Sequence, residues 1–130
     1  MQAVKGKILS IYKGGNFYRD YIHVEDVVSA LRFLEQRVQN DIYLVGYGKP
    51  MLFKNIINHI LALTGEQSET CVVEPPPFHA VVGIRNFVAD TSKINALGWR
   101  ASISPQEGIR RDVERYLLPK QSSIKQDGLL

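Results

Sequence analysis

The sequence predicts an α/β fold, a small mixed sheet of short strands with about four helices. Three observations predict it. Apolar runs of four or five residues, closed by glycine, asparagine or proline, recur between segments with helical spacing. The links between these segments are short, as in a compact domain. The 130 residues are enough for one domain that buries a core without disulfide staples.

Residues 8–12 alternate apolar and small polar side chains and run into Gly14-Gly15, which reads as a strand and its turn. A second strand is expected at residues 21–24. From Glu25 the period changes, with Val27, Val28, Leu31 and Leu34 at helical spacing and the acids Glu25 and Asp26 in the first turn, where they complement the helix dipole. Residues 42–45, Ile-Tyr-Leu-Val, form a continuous apolar run that predicts a strand covered on both faces. Leu52, Phe53, Ile56, Ile57, Ile60 and Leu63 make one face of a helix stopped by Thr64-Gly65. His59 sits beside that face as a packed or half-exposed histidine. Residues 71–73 predict a further strand, ended by the three prolines 75–77. Asp90-Thr91 can cap a short helix through Ala96, stopped at Gly98. Ser104-Pro105-Gln106-Glu107 reads as a capping box for the last helix, which Pro119 ends. The expected order is β β α β α β α α, with a domain over residues 1–118 and a flexible tail over 119–130.

Several function classes are disfavoured. Sixteen Lys and Arg against thirteen Asp and Glu make the chain mildly basic, but the charges are scattered, with no run to track a nucleic acid or an anionic membrane. No apolar stretch approaches a membrane span, and the amino-terminal run is too short for a signal peptide, so neither export nor an anchor is expected. The single cysteine, Cys71, excludes an intrachain disulfide and any Cys-x-x-Cys motif, pointing to a reducing, cytoplasmic setting. His23, His59 and His79 lack metal-ligand spacing, so no metal site is expected.

Gly46-Tyr47-Gly48 is only a glycine-flanked turn. Tyr116 and Lys120 have the Tyr-x-x-x-Lys spacing of a dehydrogenase pair, but Pro119 lies between them where the helix should end, so no catalytic residue is assigned. The segment Lys13-Gly14-Gly15 followed by Arg19 carries more. An arginine beyond a glycine loop can offer a planar fork of donors to a phosphate, with Lys13 raising the local potential. A surface ion pair of Arg19 with Asp20 or Asp26 accounts for the same residues equally well.

Four blocks in order, "ILSIYKGGNFYRDYIHVEDVVSAL", "IYLVGYG", "ADTSKINALGW" and "SPQEGIRRDVERYL", resemble the C-terminal half of nucleotide-sugar epimerases and dehydratases, the extended short-chain dehydrogenase family. The resemblance runs over residues 6–118. It implies that this chain is the substrate-binding portion of such an enzyme and that the Rossmann half, with its glycine-rich NAD(P) loop and catalytic Tyr and Lys, is absent. Alone, the chain is then expected to bind no cofactor and to be inactive, NAD or NADP belonging to the complete enzyme. The resemblance also implies that Ser10, Ile11 and Tyr12 lie against a nucleotide base and that Arg19 grips the diphosphate of a sugar nucleotide. A second phosphate-binding arginine of the family has no match in "PFHAVVGIRNFVAD", where Arg85 or His79 would substitute, and the family has glycine where Lys13 stands. Two partners are implied besides the sugar nucleotide: the missing half, or a further copy meeting exposed apolar surface. The alternative function is a stand-alone, non-catalytic sugar-nucleotide-binding or assembly module.

Overall fold

The protein was analysed as a computed structural model, which describes residues 2–37, 40–65, 67–82 and 86–117. Along the chain come strands β1 (Leu9–Tyr12) and β2 (Tyr18–Arg19), helix α1 (Val24–Glu35), β3 (Met51–Leu52), α2 (Phe53–Leu63), β4 (Thr70–Val73), and then α3 (Pro77–Val82), α4 (Ser92–Ala96) and α5 (Pro105–Leu117). Short 3₁₀ turns occupy Ala3–Lys5 and Lys13–Gly15. Among the described residues the strands form two pairs. β1 runs parallel to β4 with Ser10 opposite Cys71 and Tyr12 opposite Val73, and β2 runs antiparallel to β3 with Arg19 opposite Met51.

The main core lies under α1. Ala30, Ile94 and Trp99 are buried together, with Ile22, Phe33, Leu34, Tyr43, Val45 and Ala101 packed around them. Burying a side chain such as Ile94 contributes about 1.5–3 kcal/mol. The Trp99 indole N–H donates to Ser29 Oγ at 2.9 Å, so its polar end is satisfied inside the cluster. A second layer forms where α2 packs on α5, burying Ile56 and Val113. There His59 Nε2 lies 3.1 Å from the Gln106 carbonyl, a structural contact.

Helix ends follow local chemistry with some substitutions of role. Gly65 takes φ 74° after α2, as a C-terminal stop requires. At α1 the cap is His23, whose Nδ1 accepts the Glu25 N–H at 3.3 Å. Asp26 instead reaches across the chain. One carboxylate oxygen accepts the Ser102 N–H (3.1 Å) and hydroxyl (2.9 Å), and the other accepts the Ile103 N–H (2.9 Å). Half of the capping box at α5 forms: Ser104 Oγ accepts the Glu107 N–H at 3.2 Å, while the Glu107 carboxylate turns to Arg110 and Arg111. At α4, Asp90 rather than Thr91 accepts from the Ser92 N–H.

Three expectations need correction. Residues 21–24 are not a strand: pairing with β3 falls on Tyr18 and Arg19, and Val24 already begins α1. Residues 42–45 pair with no strand among the described residues and are covered on one face only. Tyr43 and Val45 enter the core, whereas Ile42 is 82% and Leu44 52% exposed. Lys93 of α4 clips this segment through the Asp41 carboxylate and the Ile42 carbonyl. Third, α3 forms where the prolines were expected only to end a strand, with Pro77 at its first position. The expected tail, together with Lys120, lies outside the described residues.

Candidate functional site

The site is built around the turn that joins β1 to β2. Side chains alternate along β1, so Ser10 and Tyr12 share one face while Ile11, 7% exposed, turns to the other. Ser10 Oγ lies 3.3 Å from Cys71 Sγ on the neighbouring strand. The Tyr12 ring meets the His79 ring edge-on, with centroids 5.7 Å apart, and Phe78 lies beside His79 at 5.9 Å. Phe78 and His79 are exposed, so Tyr12 and α3 together present an aromatic surface at the end of β1.

The next three residues are all left-handed: Lys13 at φ 47°, Gly14 at 64° and Gly15 at 73°. This backbone is one that glycine adopts freely, and Lys13 holds it at a cost of about 1–2 kcal/mol. Gly15 is buried, and a Cβ there would stand 2.9 Å from the Lys54 backbone nitrogen at the start of α2. The turn is therefore pressed onto the helix. The Phe53 N–H donates to the Phe17 carbonyl at 2.9 Å, and the two rings stack with centroids 5.0 Å apart. Under the turn, Ile11, Gly14, Asn16, Lys54, Ile57 and Val72 are among the residues lining a cleft of about 290 Å³.

Arg19 is half-buried on β2, its guanidinium carbon 5.6 Å from the centre of the Phe17 ring. Burial raises the pKa of neighbouring Tyr21, and the Arg19 charge pulls against that rise. The two acids suggested as partners for Arg19 have backbone donors to serve. Asp20 accepts the N–H groups of Tyr47 (2.9 Å), Gly48 (2.9 Å) and Ala89 (3.2 Å), and Asp26 those of Ser102 and Ile103. Burial pushes the Asp26 carboxyl up, but the Ile103 and Ser102 donors and His23 together outweigh it and leave the carboxyl below the usual range.

Ser10 and Tyr12 thus share one face of β1 and Lys13 follows in the turn, whereas Ile11 faces the other way and Arg19 lies on the other strand pair, beyond residues 13–18. Arg85 lies outside the described residues. His79 stands against Tyr12, and the helix that puts it there was signalled only by proline at a first helical position. Sequence reasoning treated Gly46 and Gly48 as an ordinary turn. Their fit is tight: a Cβ on Gly46 would come within 2.5 Å of the Asp20 carboxylate and 2.7 Å of Ala89 Cβ.

At the Gly46–Gly48 turn the Tyr47 and Gly48 N–H groups donate to the Asp20 carboxylate rather than standing open to an anion. Among the described residues no three His, Cys, Asp or Glu side chains group as metal ligands, and no helix is long and apolar enough to cross a membrane.

Residues 1–46 match the NAD dependent epimerase/dehydratase family. The chain is 28% identical over 117 residues to a trifunctional UDP-glucose 4,6-dehydratase/UDP-4-keto-6-deoxy-D-glucose 3,5-epimerase/UDP-4-keto-L-rhamnose-reductase of Arabidopsis thaliana, covering 88% of this chain and 17% of that protein. It is 32% identical over 136 residues to the dTDP-glucose 4,6-dehydratase of Haemophilus influenzae, covering 93% and 39%. The fold is similar to that of a UDP-glucose 4-epimerase from Thermotoga maritima, solved with UDP-glucose, at a TM-score of 0.80 and 25% identity over 89% of this chain and 37% of the epimerase. A UDP-glucose 4-epimerase of Thermus thermophilus, solved with NAD, gives 0.77 and 26% over the same shares. The chain spans less than two-fifths of the length of each of these relatives.

Proposed function

We propose that this chain, which matches the NAD dependent epimerase/dehydratase family over residues 1–46, is the part of such an enzyme that binds the nucleotide diphosphate of a sugar nucleotide. The observation that carries the proposal is the setting of Arg19. Its guanidinium carbon lies 5.6 Å from the centre of the Phe17 ring, which is itself stacked on Phe53, so an aromatic pair restrains the side chain on the strand that follows the Lys13–Gly15 turn. A dianionic diphosphate partly removed from water needs a charge-assisted, bidentate partner of that kind. Lys13 and Lys54 add positive potential around the turn, and the aromatic surface of Tyr12 and His79 suits stacking on a base. Ser10, on the same face as Tyr12, offers a hydroxyl, while Ile11 supports the strand from beneath.

In this reading NAD or NADP is held by a Rossmann portion that covers residues 42–45 and supplies the catalytic groups, so the chain alone is inactive. The lone thiol of Cys71 suits a reducing, cytoplasmic setting. One observation favours a second reading, that of a self-associating module: the exposed Ile42 and Leu44 leave apolar surface that a further copy could cover.

Calorimetric titration of the chain with UDP-glucose and dTDP-glucose tests the proposal. Saturable binding of at least one is expected, weakened in Arg19→Ala by about 1.5–3 kcal/mol, the value of a hydrogen bond to a charged group. Absence of binding to both, or an Arg19→Ala variant that binds as well as the parent, would sink it.

A further inference from the structure

Resting on the reading that Arg19 binds the diphosphate, we propose that Asp20 is a positioning residue for it, locking β2 between the Tyr47–Gly48 turn and the segment 86–89 so that the guanidinium is preorganised.

The backbone around Arg19 is fastened at three consecutive residues. Before it, the Tyr18 N–H donates to Asn86 Oδ1 at 2.9 Å and the Tyr18 carbonyl accepts the Phe87 N–H at 3.2 Å. Arg19 itself pairs with Met51. After it, Asp20 draws three N–H groups from two distant segments onto one carboxylate, Tyr47 on one oxygen and Gly48 with Ala89 on the other. Hydrogen bonds to an ionised acceptor are roughly twice as strong as neutral ones, so this is the firmest of the three attachments.

The surroundings are shaped to that carboxylate. At Gly46 any side chain would collide with Asp20 and Ala89, and at Gly48, with φ 77°, a Cβ would stand 2.7 Å from Thr91 Oγ1. The turn therefore closes at Gly46 on Asp20 and Ala89 and at Gly48 on Thr91, with no room for a Cβ at either. Successive residues of an extended chain point to opposite faces, so the acid grips the scaffold while its neighbour faces the ligand. Two consequences follow for Arg19. Its reach is fixed before the ligand arrives, which removes part of the ordering cost of binding. The adjacent negative charge is also absorbed by backbone dipoles, so it competes less with a phosphate for the guanidinium.

A double-mutant cycle tests this. UDP-glucose or dTDP-glucose, whichever the parent chain binds, is titrated into the parent, Asp20→Asn, Arg19→Ala and the double variant. The asparagine keeps the shape but turns an NH₂ toward N–H donors, so at least one of the three bonds is lost. The expected result is a loss of about tenfold in affinity for Asp20→Asn in the parent background and no further loss when Arg19 is already alanine. Gly46→Ala, which presses on the same carboxylate from outside, should reproduce the effect and carries the test if Asp20→Asn does not fold. An equal loss in both backgrounds would reduce Asp20 to a purely structural residue and overturn the proposal, as would parent-like affinity in both Asp20→Asn and Gly46→Ala. If Arg19→Ala alone binds like the parent, the diphosphate reading fails and this one falls with it; Asp20→Asn and Gly46→Ala both silent beside a weakened Arg19→Ala overturn this one alone.

Discussion

Asp26→Asn should destabilise the fold by about 2–3 kcal/mol. The carboxylate is only 3% exposed and serves three donors: the Ser102 N–H and hydroxyl on one oxygen and the Ile103 N–H on the other. Asparagine is the same size but has one acceptor oxygen, so whichever way it lies its NH₂ faces a backbone N–H. A buried donor left without a partner costs about 1–3 kcal/mol, and the surviving bonds lose the strength that the charge gave them. At roughly 4 °C per kcal/mol for a chain of this length, the melting temperature should fall by about 8–12 °C. The pH dependence gives a second check. The folded-state pKa of Asp26 lies below its ordinary value, so its contribution is fully present above about pH 4 and is lost as pH falls through the folded value. A protonated aspartate resembles asparagine, so the stability gap between parent and variant should narrow as the pH drops below about 4. Glu107, held down to about 2 by Arg110 and Arg111, is present in both proteins and leaves the difference unchanged. Urea unfolding of both proteins at several pH values measures the gap. A variant within about 0.5 kcal/mol of the parent at neutral pH, the range of an ordinary surface change, would refute the reasoning.

Gly15→Ala should cost at least 1–2 kcal/mol, because alanine at φ 73° is strained and its methyl would meet the Lys54 backbone; an unchanged melting temperature would mean that the turn does not press on α2 as described. Ile42→Lys and Leu44→Lys, on the uncovered face of residues 42–45, should change stability by less than about 0.5 kcal/mol while lowering any self-association seen by analytical ultracentrifugation. A large loss of stability in either would place those side chains in the core instead.

Helices α1, α2, α4 and α5 were legible because each carries its own signal: period, stop glycine, or a capping residue within a few positions. β1 and β4 were legible for the same reason. What was missed depends on partners distant in sequence. Alternation around residues 17–24 does not say which two residues will meet Met51 and Leu52, and the pairing fell three residues earlier than expected. The apolar run 42–45 looks the same whether one face or two are covered. Asp26 stood where a helix-dipole acid belongs, yet its geometry is set by Ser102 and Ile103 far along the chain, and His23, a rarer capping residue, took the near role. Arg19 stood out in the sequence through the ordered blocks around it, whereas its place in β2 did not. Nor did the clasp on Asp20, since nothing local ties that residue to Gly46, Gly48 and Ala89.

The pairing of β1 with β4 bears on the order of assembly. Ser10 and Cys71 are 61 residues apart, so zipping these strands closes a long loop, an entropic cost on the order of 3–4 kcal/mol. A parallel pair of four residues each returns little of that by itself. By this loop-closure argument α2, which lies between the two strands in sequence, is expected to dock first and shorten the effective loop. The edge bearing Ser10, Tyr12 and Lys13 is then among the last pieces to join during folding and among the first to let go under denaturant. Amide exchange at Ile11 and Val72 would register that release earlier than exchange in α1.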